Sequence, residues 1–174
     1  MKVETTLIDG LFVVSPKIHT DDRGAFWESF NACAFKDAGL ESTFVQDNHS
    51  HSRRGVLRGL HFQHAPNAQL KLVRCLSGAV FDVAVDIRPG SPTYAKWFGV
   101  ILTGTNRKML YIPEGFAHGF LALTTADVAY KTNEYYSQNH ESGIRWDDPG
   151  VDIRWPSITR EVSINDRDRS WPLI

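Results

Sequence analysis

Short runs of alternating apolar and polar residues dominate the chain from Phe44 onwards and predict β-strands. In the clearest of them, 80–87, apolar side chains from Phe81 to Ile87 take one face, while Asp82, Ala84 and Asp86 take the other, because neighbouring strand residues point to opposite faces. Further strands are expected over 97–102, 109–112, 119–123 and 128–133, separated by turn residues. Many short strands at near-regular spacing predict an all-β fold, a jelly-roll barrel.

The first forty residues carry the clearest helix signal. Asn31 is expected to cap a short helix that runs through Ala38, and Gly39 stands where helices often end in a left-handed residue. Before it, the pattern predicts a strand pair over 7–18, a turn over 21–24 and a strand over 25–30. The fold is therefore all-β with a few short helices.

Composition and charge narrow the classes of function. The 174 residues are 42% apolar and 22% charged, as in ordinary globular proteins, and predict a single domain over 1–174. The net charge of −1, without a block of like charge, argues against nucleic-acid binding. No segment is apolar enough to cross a membrane. Cys33 and Cys75 are too few for a disulfide framework, so a cytoplasmic protein is expected.

Several polar residues lie within strands that are otherwise apolar. Burying such groups is costly unless they are hydrogen-bonded or used, and a small barrel can hold one ligand among its interior side chains. A ligand site is therefore expected inside the barrel. The candidates for its lining are His61, Lys71, Asp82, His118 and Tyr130.

The strand around His61 is expected to place this histidine on its less crowded face. Simple alternation puts His61 beside Gly59 on one face and Arg58 on the opposite face. The glycine would leave room for something to approach the imidazole closely.

Histidine pairs at 49/51 and 61/64 raise the possibility of a metal site. Residues three apart on a strand point to opposite faces, and the segment around His49 and His51 is polar enough for a solvated loop. Because a mononuclear site needs three or four convergent ligands, we expect no metal.

Without a metal, His61 is a candidate general base, since an imidazole titrates near neutrality. A carboxylate partner would stabilise its charged form. Lys71 could stabilise an oxyanion and Tyr130 could deliver a proton. Together these groups suit proton abstraction next to a carbonyl, through an enolate.

Longer motifs resemble the dTDP-4-dehydrorhamnose 3,5-epimerase family. The resemblance covers about residues 21–172 and depends on several motifs in the same order. These motifs are 44-FVQDN-48, 55-GVLRGLHFQ-63, 69-QLKLVR-74, 78-GAVFDVAVDIR-88, 111-YIPEGFAHGF-120, 130-YK-131 and 143-GIRW-146.

The resemblance implies a cupin jelly roll that needs neither metal nor cofactor and usually forms a homodimer. Its substrate would be a nucleotide-linked 4-keto-6-deoxyglucose, whose C4 ketone acidifies the hydrogens on C3 and C5. By motif position, His61 corresponds to the base, Tyr130 to the acid on the opposite face, and Lys71 to the group that stabilises the enolate. Asp166 is the expected carboxylate partner of His61, with Asp168 as the fallback.

Substrate-binding positions also carry over from the family, some of them donated by a partner subunit. Arginine suits the diphosphate because its planar fork bonds two oxygens at once. The matching positions are Arg23, Glu28, Gln46, Asp47, Asn48, Arg58, His118, Tyr136 and Glu141. One departure is Asn165, which stands where the family usually has a substrate-contacting lysine just before the carboxylate partner.

Two other functions compatible with these residues are retained. One is a single-carbon epimerase, which would need the same base and acid. The other is a non-catalytic protein that only binds a sugar nucleotide, although His61, Tyr130 and an aspartate are all present.

Overall fold

Two antiparallel sheets form the body of the protein in a computed structural model that describes residues 1–158 and 161–174. The six-stranded sheet has the order β1-β2-β10-β7-β12-β5, the five-stranded sheet the order β13-β6-β11-β8-β9, and β3 and β4 form a separate hairpin. The strands are β1 Lys2–Thr5, β2 Phe12–Ser15, β3 His19–Asp21, β4 Gly24–Phe26, β5 Gln46–Ser52, β6 Leu57–Gln63, β7 Lys71–Ser77, β8 Ala79–Asp86, β9 Trp97–Thr103, β10 Met109–Ile112, β11 Phe116–Ala122, β12 Ala126–Thr132 and β13 Glu141–Gly143. The helices are α1 Ala32–Asp37, α2 Asp166–Arg169 and a 3-10 turn at Gln138–His140.

The main core lies between the two sheets. Val73 and Val128 from the six-stranded sheet pack with Ala84, Leu102 and Phe120 from the five-stranded sheet. The strand β8 divides as its sequence predicted, with Ala84 in this core and Val83 and Val85 in the cluster on the outer side. The all-β jelly roll is confirmed.

The outer face of each sheet is partly covered by other segments. Phe35 of α1 packs on the six-stranded sheet against Leu72 and Met109. On the other side, Val151 and Trp155 pack against the five-stranded sheet. Polar side chains that are buried between the two sheets, on their inner faces, therefore need an explanation of their own.

The helix prediction at residues 31–39 is confirmed. The side chain of Asn31 accepts a hydrogen bond from the amide of Ala34, α1 ends at Asp37, and Gly39 has φ 76°. The strand expected over 25–30 is shorter, since β4 ends at Phe26. Among the described residues, none of the helices has the length and apolar character needed to cross a membrane.

Candidate active site

A pocket of about 170 Å³ opens between the two sheets, at the end of the core where polar side chains replace apolar ones. Strands of both sheets and the segment around α2 contribute to its wall. The lining residues are Ser50, Arg58, His61, Lys71, His118, Gly119, Phe120, Tyr130, Asn165 and Asp168. The sequence-based candidates His61, Lys71, His118 and Tyr130 are thus brought together.

His61 and Asp168 form a hydrogen-bonded pair at this pocket. His61 Nε2 lies 2.8 Å from Asp168 Oδ1, and the amide of Gly59 donates to Asp168 Oδ2 at 3.0 Å. Burial raises the pKa of Asp168, but the hydrogen bonds from His61 and Gly59 outweigh it and leave the pKa below its usual value. The carboxylate therefore stays charged near neutrality, and His61 Nδ1 is left to accept a proton.

The expectation that Asp166 is the partner of His61 is wrong. Asp166 is exposed at the start of α2, whereas Asp168 is 1% exposed and faces β6. The two residues lie two apart on a helix, so they point in directions that differ by roughly 200° and only one can face the strand. The fallback, Asp168, occupies the position.

A register shift in β6 changes the faces that alternation predicted. His118 pairs with His61 and Phe120 pairs with Arg58, so β6 uses one more residue than β11 between these two points. This bulge brings Arg58 and His61 to the same pocket instead of opposite faces. The space beside Gly59 is filled by β11, since a Cβ at Gly59 would come within 2.5 Å of the Cα of Gly119.

Lys71 points into the pocket from β7, on the same face as Val73 and Cys75 in the core. Its ammonium donates to the carbonyl of His61 at 3.3 Å. Burial lowers the pKa of Lys71 to about 8, although the Asp82 and Glu141 carboxylates oppose the shift. At pH 7 the ammonium is therefore mostly charged and can stabilise an oxyanion.

A second histidine–aspartate pair lies deeper in the wall. His118 Nε2 is 2.9 Å from Asp82 Oδ1, and both side chains are buried. The other carboxylate oxygen, Asp82 Oδ2, is buried and has no hydrogen-bond partner among the described residues. Asp82 thus places negative charge close to both His118 and Lys71.

Tyr130 faces the pocket from the opposite sheet. It lies on β12, in the six-stranded sheet, while His61 lies on β6 in the five-stranded sheet. Burial raises the pKa of Tyr130, and the nearby Arg58 offsets this only in part. The phenol is therefore protonated near neutrality and can donate a proton.

Polar residues near the pocket form a connected hydrogen-bond network. Gln46 bonds Asn48 and the amide of Tyr136, while the Tyr136 hydroxyl donates to Glu141 at 2.8 Å. Arg167 donates to the same Glu141 oxygen at 2.7 Å. The network joins β5, β13 and α2.

Because the partner of His61 is Asp168 and not Asp166, Asn165 is no longer the residue that precedes the partner. The residue just before the partner of His61 is Arg167, so a cation is present where the family resemblance implies one. The sequence analysis did not name Arg167, because it took Asp166 as the partner of His61 and therefore looked for the cation at residue 165.

Of the nine expected binding residues, only Arg58 and His118 line the pocket. Three of the other seven are held elsewhere by contacts of their own. Asp47 is on the outer face of β5, paired with Lys131 at 2.9 Å. Arg23 lies in the exposed β3–β4 hairpin and bonds Asp21, while Glu28 accepts from Asn31 near α1. Asp47 points away from this pocket because β5 alternates, which turns Gln46 and Asn48 inward and Asp47 outward.

His49 and His51 lie on the outer face of β5, where the sequence had indicated a solvated loop. Each ring has a nitrogen 3.0 Å from Asp127 Oδ1 on the neighbouring strand. The histidines therefore point away from the pocket and share a carboxylate that comes from β12.

Comparisons with known proteins point to one family. The family model described as dTDP-4-dehydrorhamnose 3,5-epimerase matches residues 5–174. The protein of that name from Shigella flexneri is 52% identical over 97% of this chain and 93% of its own length.

Solved structures show the same fold. A dTDP-6-deoxy-D-glucose-3,5-epimerase from Legionella pneumophila, in complex with dTDP-4-keto-L-rhamnose, superposes with a TM-score of 0.94 at 48% identity, covering 99% of this chain and 92% of that one. A more distant structure, a 3'-monoepimerase from Streptomyces bikiniensis in complex with dTDP-quinovose, gives a TM-score of 0.90 at 35% identity, covering 97% and 85%. The family model, the sequence identity and the shared fold show that the chain belongs to the dTDP-4-dehydrorhamnose 3,5-epimerase family.

Proposed function

We propose that this protein is an isomerase that inverts C3 and C5 of dTDP-4-dehydro-6-deoxy-D-glucose and releases dTDP-4-dehydro-L-rhamnose. Its family membership supports this substrate, and the Legionella pneumophila relative was solved with dTDP-4-keto-L-rhamnose. The product would enter rhamnose synthesis for a surface polysaccharide.

The observation that carries the proposal is the placement of His61 and Tyr130 on opposite sheets around one pocket. Inversion at carbon requires that a proton leave from one face of the sugar and that another arrive on the other face. A base and an acid on opposite walls meet that requirement.

In the proposed reaction, His61 Nδ1 removes the proton from C3 or C5, and the C–H electron pair moves to form an enolate at the C4 oxygen. Lys71 and His118 stabilise the negative oxygen from the pocket wall. Tyr130 then gives its proton to the same carbon from the opposite face as the ketone re-forms. Solvent returns the proton from His61 to the tyrosinate, and the second carbon follows the same steps.

Binding of the nucleotide diphosphate would use the groups around the pocket mouth. Arg58 and Arg167 supply positive charge for the two phosphates, and Tyr136 supplies an aromatic surface for the base. Gln46, Asn48 and Glu141 supply hydrogen-bonding groups to the sugar and nucleoside.

We also propose that the working form is a homodimer in the cytoplasm. Within one chain, Arg23 and Glu28 lie outside the pocket, on and just after a hairpin whose Phe26 is 70% exposed. An exposed aromatic on a projecting hairpin suits contact with a second copy, which would bring these two side chains to the partner's pocket. Both cysteines are free, as expected in a reducing compartment.

The test is incubation of the protein with the substrate in heavy water, followed by NMR at C3 and C5. Deuterium at both carbons with an L-configured product is expected. Deuterium at one carbon would indicate a single-carbon epimerase, the activity in the name of the Streptomyces bikiniensis structure. Binding of dTDP without exchange at either carbon would indicate a non-catalytic binding protein.

A further inference from the structure

We propose that Asn165 is a positioning residue, whose side chain caps α2 and thereby aims the Asp168 carboxylate at His61. The proposal rests on the proposed function, in which His61 is the base. The Asn165 side chain is hydrogen-bonded neither to the His61 imidazole nor to the Asp168 carboxylate. It would act through the backbone amide of Asp168.

The capping geometry is direct. Asn165 Oδ1 accepts from the amide of Asp168 at 2.7 Å, and the backbone carbonyl of Asn165 accepts from Arg169 at 3.1 Å. Asn165 has an extended conformation, with φ −74° and ψ 164°, as helix caps require. Because α2 has only four residues, this one side-chain bond is a large share of what holds its first turn.

The carboxylate of Asp168 tolerates little displacement. Its two oxygens are bonded to two different points of β6, the imidazole of His61 and the amide of Gly59. A rotation of the first turn of α2 would weaken both bonds at once. The amide that Asn165 caps is that of Asp168 itself, so the cap acts at the residue whose orientation matters.

The rest of the segment is held independently of Asn165. Ser163 exchanges backbone hydrogen bonds with Gly55 and Leu57, and the carbonyl of Pro172 accepts from Arg145. Trp171 packs against Gly143 and lies edge-on to His61, with ring centroids 6.2 Å apart. Loss of the cap would therefore leave the segment docked while it loosens the orientation of Asp168.

The test compares Asn165→Ala with Asn165→Ser, since serine can cap a helix and alanine cannot. Asn165 is exposed, so neither change opens a cavity. For Asn165→Ala we expect kcat to fall about 10-fold while KM stays within about threefold, because the base is misoriented and substrate contacts are retained. Asn165→Ser should restore most of kcat.

The pH profile gives a readout that a merely structural role would not move. Asp168 stabilises the protonated imidazole of His61, so a weaker contact should shift the acidic limb of kcat to lower pH in Asn165→Ala and return it in Asn165→Ser. The other charged or titratable groups around the pair stay unchanged in both variants. They are Arg58 on β6, Lys71 on β7, His118 on β11, Tyr130 on β12 and Arg167 on α2.

Crystal structures of the two variants supply a measurement that does not depend on activity. A longer distance from Asp168 to His61 in Asn165→Ala than in Asn165→Ser supports the proposal. It does so even if the protein turns over no substrate, since absence of turnover would refute only the proposed function.

Three outcomes would overturn the proposal. They are an unchanged distance, equal kinetics of the two variants, and a rise in KM with kcat and the acidic limb unchanged. The last result would make Asn165 a substrate contact instead.

Discussion

Two histidine–aspartate pairs lie at one pocket, which His61, Asp168 and His118 line while Asp82 lies behind His118, and the pairs differ in how their carboxylates are used. In the His61–Asp168 pair both oxygens of the carboxylate are hydrogen-bonded, and 26% of the imidazole is exposed to the pocket. In the His118–Asp82 pair one oxygen is bonded, the other has no partner among the described residues, and the imidazole is only 8% exposed.

The difference separates two kinds of work. A base must reach the substrate and must be held in one orientation, which suits an accessible imidazole with a fully bonded partner. A deep pair with an uncompensated oxygen exerts its effect through charge on neighbours such as Lys71. We therefore assign proton transfer to the first pair and electrostatic support to the second.

Replacing the two histidines gives the sharpest contrast. His61→Ala should lower exchange at C3 and C5 by about 1,000-fold or more, because it removes the general base. His118→Ala should cost about 10-fold, since Lys71 remains to stabilise the oxyanion. Deuterium incorporation followed by NMR measures both. Equal losses in the two variants would contradict the division of work.

Replacing the carboxylates tests which aspartate supports the base. Asp168→Asn should lower kcat by about 100-fold, because an amide cannot stabilise the protonated His61. Asp166→Asn is the matched control in the same helix and should retain at least about half of kcat, since its side chain is exposed. Steady-state kinetics of both variants decide the point, and a larger loss in Asp166→Asn would reverse the assignment.

Tyr130→Phe tests the role of the pocket wall opposite the two histidine–aspartate pairs. Abstraction by His61 should survive, so exchange should fall less than about 10-fold, whereas formation of the inverted product should fall further because the donor on the opposite face is missing. The measurement is the ratio of deuterium incorporation to L-configured product. If exchange and inversion fell together, Tyr130 would not be the separate acid.

The smallest effect concerns pH. Lys71 has a pKa of about 8, and the Asp82 carboxylate opposes the lowering that burial causes. Activity that needs the ammonium should fall as pH rises through about 8, and Asp82→Asn should move this alkaline limb to lower pH by about half a unit. Asp168→Asn should leave the limb in place. The profile of kcat/KM from pH 6 to 10 tests this. An alkaline limb that does not move in Asp82→Asn would show that Asp82 does not support the charge of Lys71.

Much of the fold and site was predictable from the sequence. Alternation in β8 separated the inner from the outer face, and the Asn31 and Gly39 signals bounded α1. Lys71 and Tyr130 were recognisable as polar residues on otherwise apolar strand faces, and both lie in the pocket. Local patterns of this kind record burial, which is what alternation measures.

The remaining features depend on contacts that local patterns do not record. The single extra residue in β6 that brings Arg58 beside His61 is a property of its pairing with β11. The carboxylate partner lies 107 residues from His61, and only the direction in which α2 faces separates Asp168 from Asp166. Arg23 and Glu28 were expected from the family resemblance and not from a local pattern, and both lie outside the pocket.

The attachment of the α2 segment has an evolutionary consequence. Its two ends are fastened by backbone hydrogen bonds, from Ser163 to Gly55, from Leu57 to Ser163 and from Arg145 to Pro172, and such bonds do not depend on side-chain identity. Residues between the two ends can therefore be substituted without removing these bonds. Sequence changes in this segment should therefore act first on the orientation of the Asp168 carboxylate, whose two oxygens bond His61 and Gly59, while the segment itself stays attached.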